Sequence, residues 1–342
     1  MSFPRALGLR IDVDTADGAR HGLPPLLQLL SRYHARATLC IPGGLDRSAL
    51  AFSRLFTQKG YAEKILRTRA WRIYARSVLT SALSSTSGRV LDAIPNLSGT
   101  LDSGHELAAH GFGHTSWHNG YHRMSLSQVR SEMQMAVAAL SAALAPGTEA
   151  LAPGTEALAP GTEARVRAGD AMCAGDASCE SAQRAGARGV FAAAAPGWQA
   201  GFAALAVADE LGFSWCSDTR GVGPFVPRCC GIVFRTPQVP TTLPTLDELP
   251  LGLPPRDRDV EDLLSAMESQ RFPVFTAHAE LEGKHFPAFL ERLLTRCTDN
   301  GVEVMPLGDL LALRHQEGAL PVCDVAQGTV PGRPGLVAVQ VA

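Results

Sequence analysis

For most of its length the chain sets short apolar runs between polar turns, and the periods of those runs name the elements. Residues 6–13 read as a buried first strand, Leu23 to Tyr33 as a helix with its leucines on an inward face, and Ala35 to Ile41 as a second strand. A β-α-β opening of this kind makes the strands parallel. Further strands are predicted at Glu106 to Ala109, Gly189 to Ala195, Ser214 to Ser217, Gly231 to Thr236, Val274 to Ala277 and Val302 to Pro306, with helices between several of them. Ser125-Leu-Ser-Gln128 is a capping box ahead of an Ala/Met/Leu helix that reaches Leu144. The strand count suits a barrel.

Two stretches break this pattern. Within residues 50–97, Phe52, Leu55, Tyr61, Trp71, Ile73 and Tyr74 are interleaved with Arg54, Lys59, Lys64, Arg67, Arg69, Arg72 and Arg76, which predicts basic amphipathic helices. An ordinary helical hairpin with a solvated charged face is the plainer alternative, but Trp and Tyr among arginines favour a membrane interface or phosphate contact. From Leu144 to Ala164 the heptapeptide Leu-Ala-Pro-Gly-Thr-Glu-Ala occurs three times. Its proline and glycine forbid a continuous helix, and its period is far below that of a solenoid unit. Residues 144–180 therefore read as a low-complexity insertion. Cys173 and Cys179 inside it have no further ligands spaced to join them.

Composition narrows the class. A chain of 342 residues holds one large domain or two ordinary ones, with enough apolar residues for a full core. A net charge of −2 gives no reason to expect nucleic acid as a partner, and no Cys/His finger or basic tail is present. Eight cysteines without CxxC spacing fit reduced thiols and a cytosolic compartment better than a disulfide framework. The N-terminus shows no export signal, and no run is long and apolar enough to span a bilayer, so any contact with a membrane is expected from its surface.

The chemistry is carried by Asp12-Val-Asp14 at the end of the first strand and by His110-Gly-Phe-Gly-His114 a hundred residues later. Alternation sends the two carboxylates to one face, and an i, i+4 pair of histidines points two imidazoles at one spot. One aspartate and two histidines make a three-ligand set that leaves positions on a divalent cation open, and the second aspartate is then free to act as a base. Either motif alone is commonly a helix cap or a pair of surface histidines. Their combination is supported by Phe275-Thr-Ala-His278 at the end of a late strand and by Cys216-Ser-Asp218-Thr-Arg220-Gly221 closing a short apolar run.

The order Asp-x-Asp, His-x-x-x-His, Pro196-Gly-Trp198, Ser217-Asp218-Thr-Arg220-Gly221 and strand-end His278 resembles the polysaccharide deacetylase superfamily, metal-dependent hydrolases on a distorted (β/α) barrel. More narrowly, Leu9-Arg-Ile-Asp-Val-Asp-Thr15, Gly104-His-Glu106, Pro240-Thr-Thr-Leu-Pro-Thr-Leu-Asp-Glu248 and His278-Ala-Glu-Leu-Glu-Gly283 resemble the 4-deoxy-4-formamido-L-arabinose-phosphoundecaprenol deformylases. The resemblance implies that Asp14, His110 and His114 bind the metal, that Asp12 is the general base, and that His278 is the general acid, oriented by Asp218. Such a mixed oxygen and nitrogen ligand set suits zinc, manganese, cobalt or nickel, and spacing does not choose among them. Trp198, Arg220 and Glu280 are candidates for substrate contact, Trp198 as a wall of the sugar pocket.

The resemblance also implies a single barrel over residues 1–315, a C-terminal tail from 316 to 342, and a polyprenyl-phosphate-linked amino sugar met at the cytoplasmic face of the inner membrane in lipid A modification. The arginines of residues 50–97 would then contact the carrier phosphate. A deacetylase of an N-acetylated glycan is the alternative within the same chemistry, and a non-catalytic lipid or sugar binder the alternative outside it. One departure stands out: glutamine occupies position 199, where the family pattern leads one to expect an arginine that tunes Asp12. Arg220 or Arg10 must substitute, or activity falls.

Overall fold

A computed structural model describes residues 3–47, 88–94, 96–145, 190–249 and 253–341. Most of the expected basic amphipathic stretch and nearly all of the expected repeat insertion lie outside the described residues. In chain order the elements are β1 (Ala6–Asp12), α1 (Ala16–His21), α2 (Leu23–Arg32), β2 (Thr38–Ile41), α3 (Leu97–Asp102), β3 (Glu106–Ala109), α4 (His114–Gly120) and α5 (Leu126–Leu144). They continue with β4 (Ala192–Ala193), α6 (Phe202–Leu211), β5 (Trp215–Cys216), β6 (Val226–Cys229), β7 (Ile232–Val233), α7 (Asp257–Glu268) and β8 (Val274–His278). A π-helix (Ala279–His285) leads to α8 (Pro287–Asp299), β9 (Glu303–Met305), α9 (Leu307–His315), β10 (Val322–Gly328) and β11 (Val337–Val341).

The main sheet is parallel, in the order β5-β4-β3-β2-β1-β8, with β9 pairing the first residues of β1. Its two faces follow from alternation along β1. Leu7, Leu9 and Ile11 pack with the leucines of α2 and with Phe289, Leu290, Leu293 and Leu294 of α8. The other face carries Ala6, Cys40, Ala108, Ala192 and Ala194, and is covered by Leu307, Leu310 and Leu311 of α9. Arg10 and Asp12 belong to this inner face, which explains how two charges come to lie within a sheet. The architecture is the distorted (β/α) barrel that the sequence predicts.

A second sheet of order β11-β10-β6-β7 flanks the barrel. The strand predicted at Gly231 to Thr236 belongs here, not to the barrel. Cys230 and Gly231 both have positive φ (52° and 78°), the backbone of a tight hairpin turn that folds Ile232 back onto Cys229. Residues beyond His315, read from sequence as a tail, supply β10 and β11. Arg220 joins the two parts, donating its amide to Ala338 O and accepting from the amide of Gln340. No helix among the described residues is long and apolar enough to cross a membrane.

Register sets the functional edge. Asp12 is the Cα partner of Cys40 on β2 and of His278 on β8, and Ile41 pairs with Ala109, one residue before His110. The carboxyl ends of four neighbouring strands thus bring these side chains to one end of the sheet, where open α/β sheets place their chemistry. The π-helix after β8 presses on the corner between α1 and α2. A Cβ on Gly22 would stand 1.9 Å from Ala279 O, so this corner accepts only glycine. Gly22→Ala is expected to cost about 1–3 kcal/mol in urea unfolding. Gly120→Ala, whose Cβ would meet nothing within 4 Å, should stay within about 0.5 kcal/mol of the parent.

Candidate metal centre and active site

Arg10 is fully buried, and each of its three guanidinium nitrogens donates a hydrogen bond. Nε donates to Asp12 Oδ1 at 2.6 Å, Nη2 to Asp12 Oδ2 at 2.8 Å, and Nη1 to Ser217 O at 2.6 Å. A bidentate pair of this kind is the strongest ion pair that side chains make. Burial opposes the charge on Asp12, but Arg10 and then His110 outweigh it and hold the carboxyl below its ordinary value. Of the two substitutes for the missing arginine, Arg10 is the one in place.

Asp14, on the turn after β1, meets His110 and His114. Their ligand atoms all lie within 4.8 Å of one another, with His114 Nε2 3.1 Å and His110 Nε2 3.5 Å from Asp14 Oδ1. Ligands about 2.1 Å from one ion and at right angles to each other stand about 3 Å apart, so the set is close to a coordination sphere. His110 Nδ1 contacts Ala194 O at 2.8 Å, which fixes the ring and turns Nε2 toward Asp14. Asp14 Oδ1 and His110 Nε2 are buried without a hydrogen-bond partner. Two unsatisfied polar atoms facing each other are costly unless something sits between them, and a divalent cation fits. Burial works against the charge on Asp14, but the two histidines hold its carboxyl well below the usual range.

His278 stands across the strand pair from Asp12. Burial would lower its pKa, but Asp14 and Asp12 raise it above the ordinary histidine value, which favours the protonated form that a general acid needs. Asp218 does not orient it. The Asp218 carboxylate accepts from the amide of Ala195 at 2.8 Å and from Gln238 Nε2 at 3.3 Å, while His278 Nδ1 is buried without a partner. Burial pushes Asp218 up to about 6. The carboxylate that touches the His278 segment is Glu282, whose Oε2 accepts from the His278 amide at 2.8 Å.

The three residues expected at the substrate are engaged in building the site. Glu280 accepts from the amide and hydroxyl of Thr15, at 2.9 and 2.7 Å, and so secures the turn that presents Asp14. Arg220 donates Nη1 to both oxygens of Glu248 (2.7 and 2.8 Å), Nη2 to Leu243 O and Nε to Thr241 O. Trp198 is 1% exposed, too enclosed to wall an open pocket. The guanidinium carbons of Arg10, Arg220 and Arg333 lie 5.3, 4.7 and 4.5 Å from its ring centroid, and its Nε1 donates to Thr241 Oγ1.

Gln199 donates its Nε2 to Leu336 O at 2.8 Å. Arg333, from the loop between β10 and β11, donates to Gly197 O at 3.1 Å. Gly197 has φ +59°, and a Cβ there would run into His118 at 2.2 Å. Sequence reasoning did not single out Arg333, Cys40 or Thr15 as parts of the site. Cys40 was discoverable from strand pairing, since it stands one residue before the end of the strand beside β1 and opposite Asp12; Arg333 carries no local signal.

No protein-family model matches the chain. It is 26% identical over 334 residues to a probable 4-deoxy-4-formamido-L-arabinose-phosphoundecaprenol deformylase of Shewanella sediminis, covering 96% of this chain and 92% of that one. It is 23% identical to the protein of the same description from Wigglesworthia glossinidia brevipalpis, covering 94% and 98%. Among solved structures it is similar to a putative polysaccharide deacetylase from Mycobacterium smegmatis, with a TM-score of 0.54, 15% identity and coverage of 97% and 96%. The resemblance read from the motifs is borne out along nearly the whole chain, and the fold is that of the polysaccharide deacetylases. Similarity to deformylases on a deacetylase fold supports an enzyme that hydrolyses a carbohydrate amide.

Glu282 offers a test of how the site's buried carboxyls behave. It is fully buried, and burial pushes it up to about 7 from 4.5. The folded state therefore holds the proton more tightly than the unfolded one. The associated stability is complete below about pH 4.5 and is lost as the pH rises through about 7. Glu282→Gln keeps an oxygen for the His278 amide and cannot ionise. In urea unfolding the variant should gain on the wild type by about 2–3 kcal/mol between pH 5 and pH 8.

Proposed function

We propose that the protein removes the formyl group from 4-deoxy-4-formamido-L-arabinose carried on undecaprenyl phosphate, releasing formate and the free amino sugar for lipid A modification. The observation that carries this reading is a carboxylate, Asp12, kept ionised by Arg10 beside an Asp-His-His donor set, with His278 in register next to it. Similarity to two proteins of that description over nearly their full length supports the choice of substrate.

A divalent ion held by Asp14, His110 and His114 would supply Lewis acidity toward the formyl oxygen and acidify a water. Asp12 would accept the proton of the attacking water. Its low pKa makes it a weak base for bulk water but a sufficient one for an acidified water, and Arg10 keeps it charged while it waits. His278 delivers a proton to the sugar nitrogen. An amine leaves as a neutral molecule only when protonated, so without this step collapse of the adduct returns the formamide. The lipid carrier would hold the reaction at the cytoplasmic face of the inner membrane, and the arginines and aromatic residues of 50–97 are the sequence features that support such a contact.

Formate release from the lipid-linked formamido sugar, with metal content measured on the same samples, tests the reading. Asp12→Asn should lower kcat by about 10²–10⁴ while keeping its metal. His110→Ala should lose the metal. Full activity in the first variant would remove Asp12 as the base, and full metal content in the second would sink the site. Acetate release from an N-acetylated glycan, with no formate from the formamido sugar, would move the assignment to a deacetylase.

Arg10→Met separates tuning from chemistry. Without the guanidinium the folded pKa of Asp12 rises, so the acid limb of the kcat/KM profile should move to higher pH, with the loss of activity largest at the acidic end. An unmoved acid limb would mean that Arg10 does not set the charge of the base.

A further inference from the structure

Two donor sets meet at His110. Beside Asp14, His110 and His114, a second group consists of Asp12, Cys40 and His110, all three buried and with ligand atoms within 4.8 Å of one another. Only one nitrogen serves both sets. Nδ1 is held by Ala194 O, while Nε2, without a hydrogen-bond partner, lies 3.5 Å from Asp14 Oδ1 and 3.7 Å from Asp12 Oδ2. A cation bound to Nε2 on the outer side excludes one on the inner side.

The sets differ in softness. The outer one offers oxygen and two nitrogens, the inner one oxygen, nitrogen and sulfur. Thiolate selects cations such as cadmium(II) and zinc(II) over harder ions. In a tetrahedral site with bonds of about 2.0–2.3 Å, neighbouring ligand atoms stand about 3.3–3.6 Å apart, so the inner set needs only a modest contraction around an ion. Cys40 reaches this place because it is the Cα partner of Asp12 at the carboxyl end of β2 and faces the inside of the sheet. Arg10 opposes a cation there, but Asp12, Asp14 and the thiolate formed on binding balance its charge together with that of a divalent ion.

We propose that Asp12, Cys40 and His110 form a second, thiophilic cation site that competes with the outer one for His110. Binding forms a metal–sulfur bond and releases the Cys40 thiol proton to solvent. It also occupies the Asp12 carboxylate, so a soft cation in this site inhibits the enzyme by withdrawing the base. The inhibition, though not the binding, rests on the proposed roles of Asp12 and of the outer set, which loses His110 to the inner cation.

The test is a cadmium(II) titration of the full chain with Cys173, Cys179, Cys229 and Cys230 replaced by serine to leave fewer competing thiols. It is followed by the ultraviolet sulfur-to-metal charge-transfer band and by proton release. A saturable band is expected, lost on adding Cys40→Ser and retained on adding His114→Ala. Asp12→Asn, which leaves the thiol in place, should weaken cadmium binding at least about tenfold and serves if Cys40→Ser does not fold. A band that persists without Cys40, that disappears with His114, or that keeps its affinity in Asp12→Asn overturns the site. In the activity arm, cadmium should inhibit the wild type and Cys40→Ser should relieve it. Cadmium bound through Cys40 without inhibition would overturn the competition for His110 if the outer ion stays bound, and would remove the proposed roles of Asp12 and of the outer set if that ion is displaced.

Discussion

The carboxyl edge of the sheet depends on one buried ion pair. Arg10 sits on the inner face of β1 where no water reaches it, and its charge is tolerable because Asp12 accepts from it twice and Ser217 O takes a third bond. Removing one partner from such a pair typically costs about 3–5 kcal/mol, since the other charge is left uncompensated. Asp12 is therefore held in its ionised form by the same interaction that lets the strand carry an arginine. Folding and the charge state that the proposed role of Asp12 needs are then one requirement.

Around this pair the protein sorts identical groups into different states. Asp12 and Asp14 are held low by cations and histidines, whereas burial with fewer compensating charges lifts Asp218 to about 6, Glu282 to about 7 and Glu280 to about 8. Glu280 also feels the negative charge of Asp14. Divergence of this kind among neighbouring carboxyls is how one site separates proton acceptors from groups that hold structure. Thr15, secured by Glu280 and itself capping α1, shows the second use: the turn that carries Asp14 is fastened at both ends.

Much of the centre was legible in the sequence because its signals are local. Alternation carries Asp12 and Asp14 toward one face, i, i+4 spacing aligns His110 with His114, and the apolar run before His278 ends where a parallel strand should. What was misread depends on partners far away in the chain. Asp218 was expected beside His278, but the amides of Ala195 and Gln238 claim it. Arg220 was expected at the substrate, but Glu248 claims it. Nothing within a few residues of either encodes that choice. The strand at 231–236 had the right type and the wrong sheet, because the turn at Cys230-Gly231 needs positive φ at a residue that seldom adopts it. Cys40 carries no signal of its own, because an isolated cysteine in an apolar strand usually is core.

The loop between β10 and β11 carries Arg333 to Trp198 and Gly197 and lends a carbonyl to Gln199. A motif in the middle of the chain is thereby completed by residues close to its end, and the two have to change together. Exchanging the C-terminal segment with that of a relative carrying arginine after the tryptophan would bring together a glutamine without its carbonyl partner and a hairpin shaped for another side chain. Recombination between such proteins should succeed where the segments around 197–199 and 333–336 are inherited as a pair. The seam of a working chimera would then be set by that coupling and not by the boundaries of strands and helices.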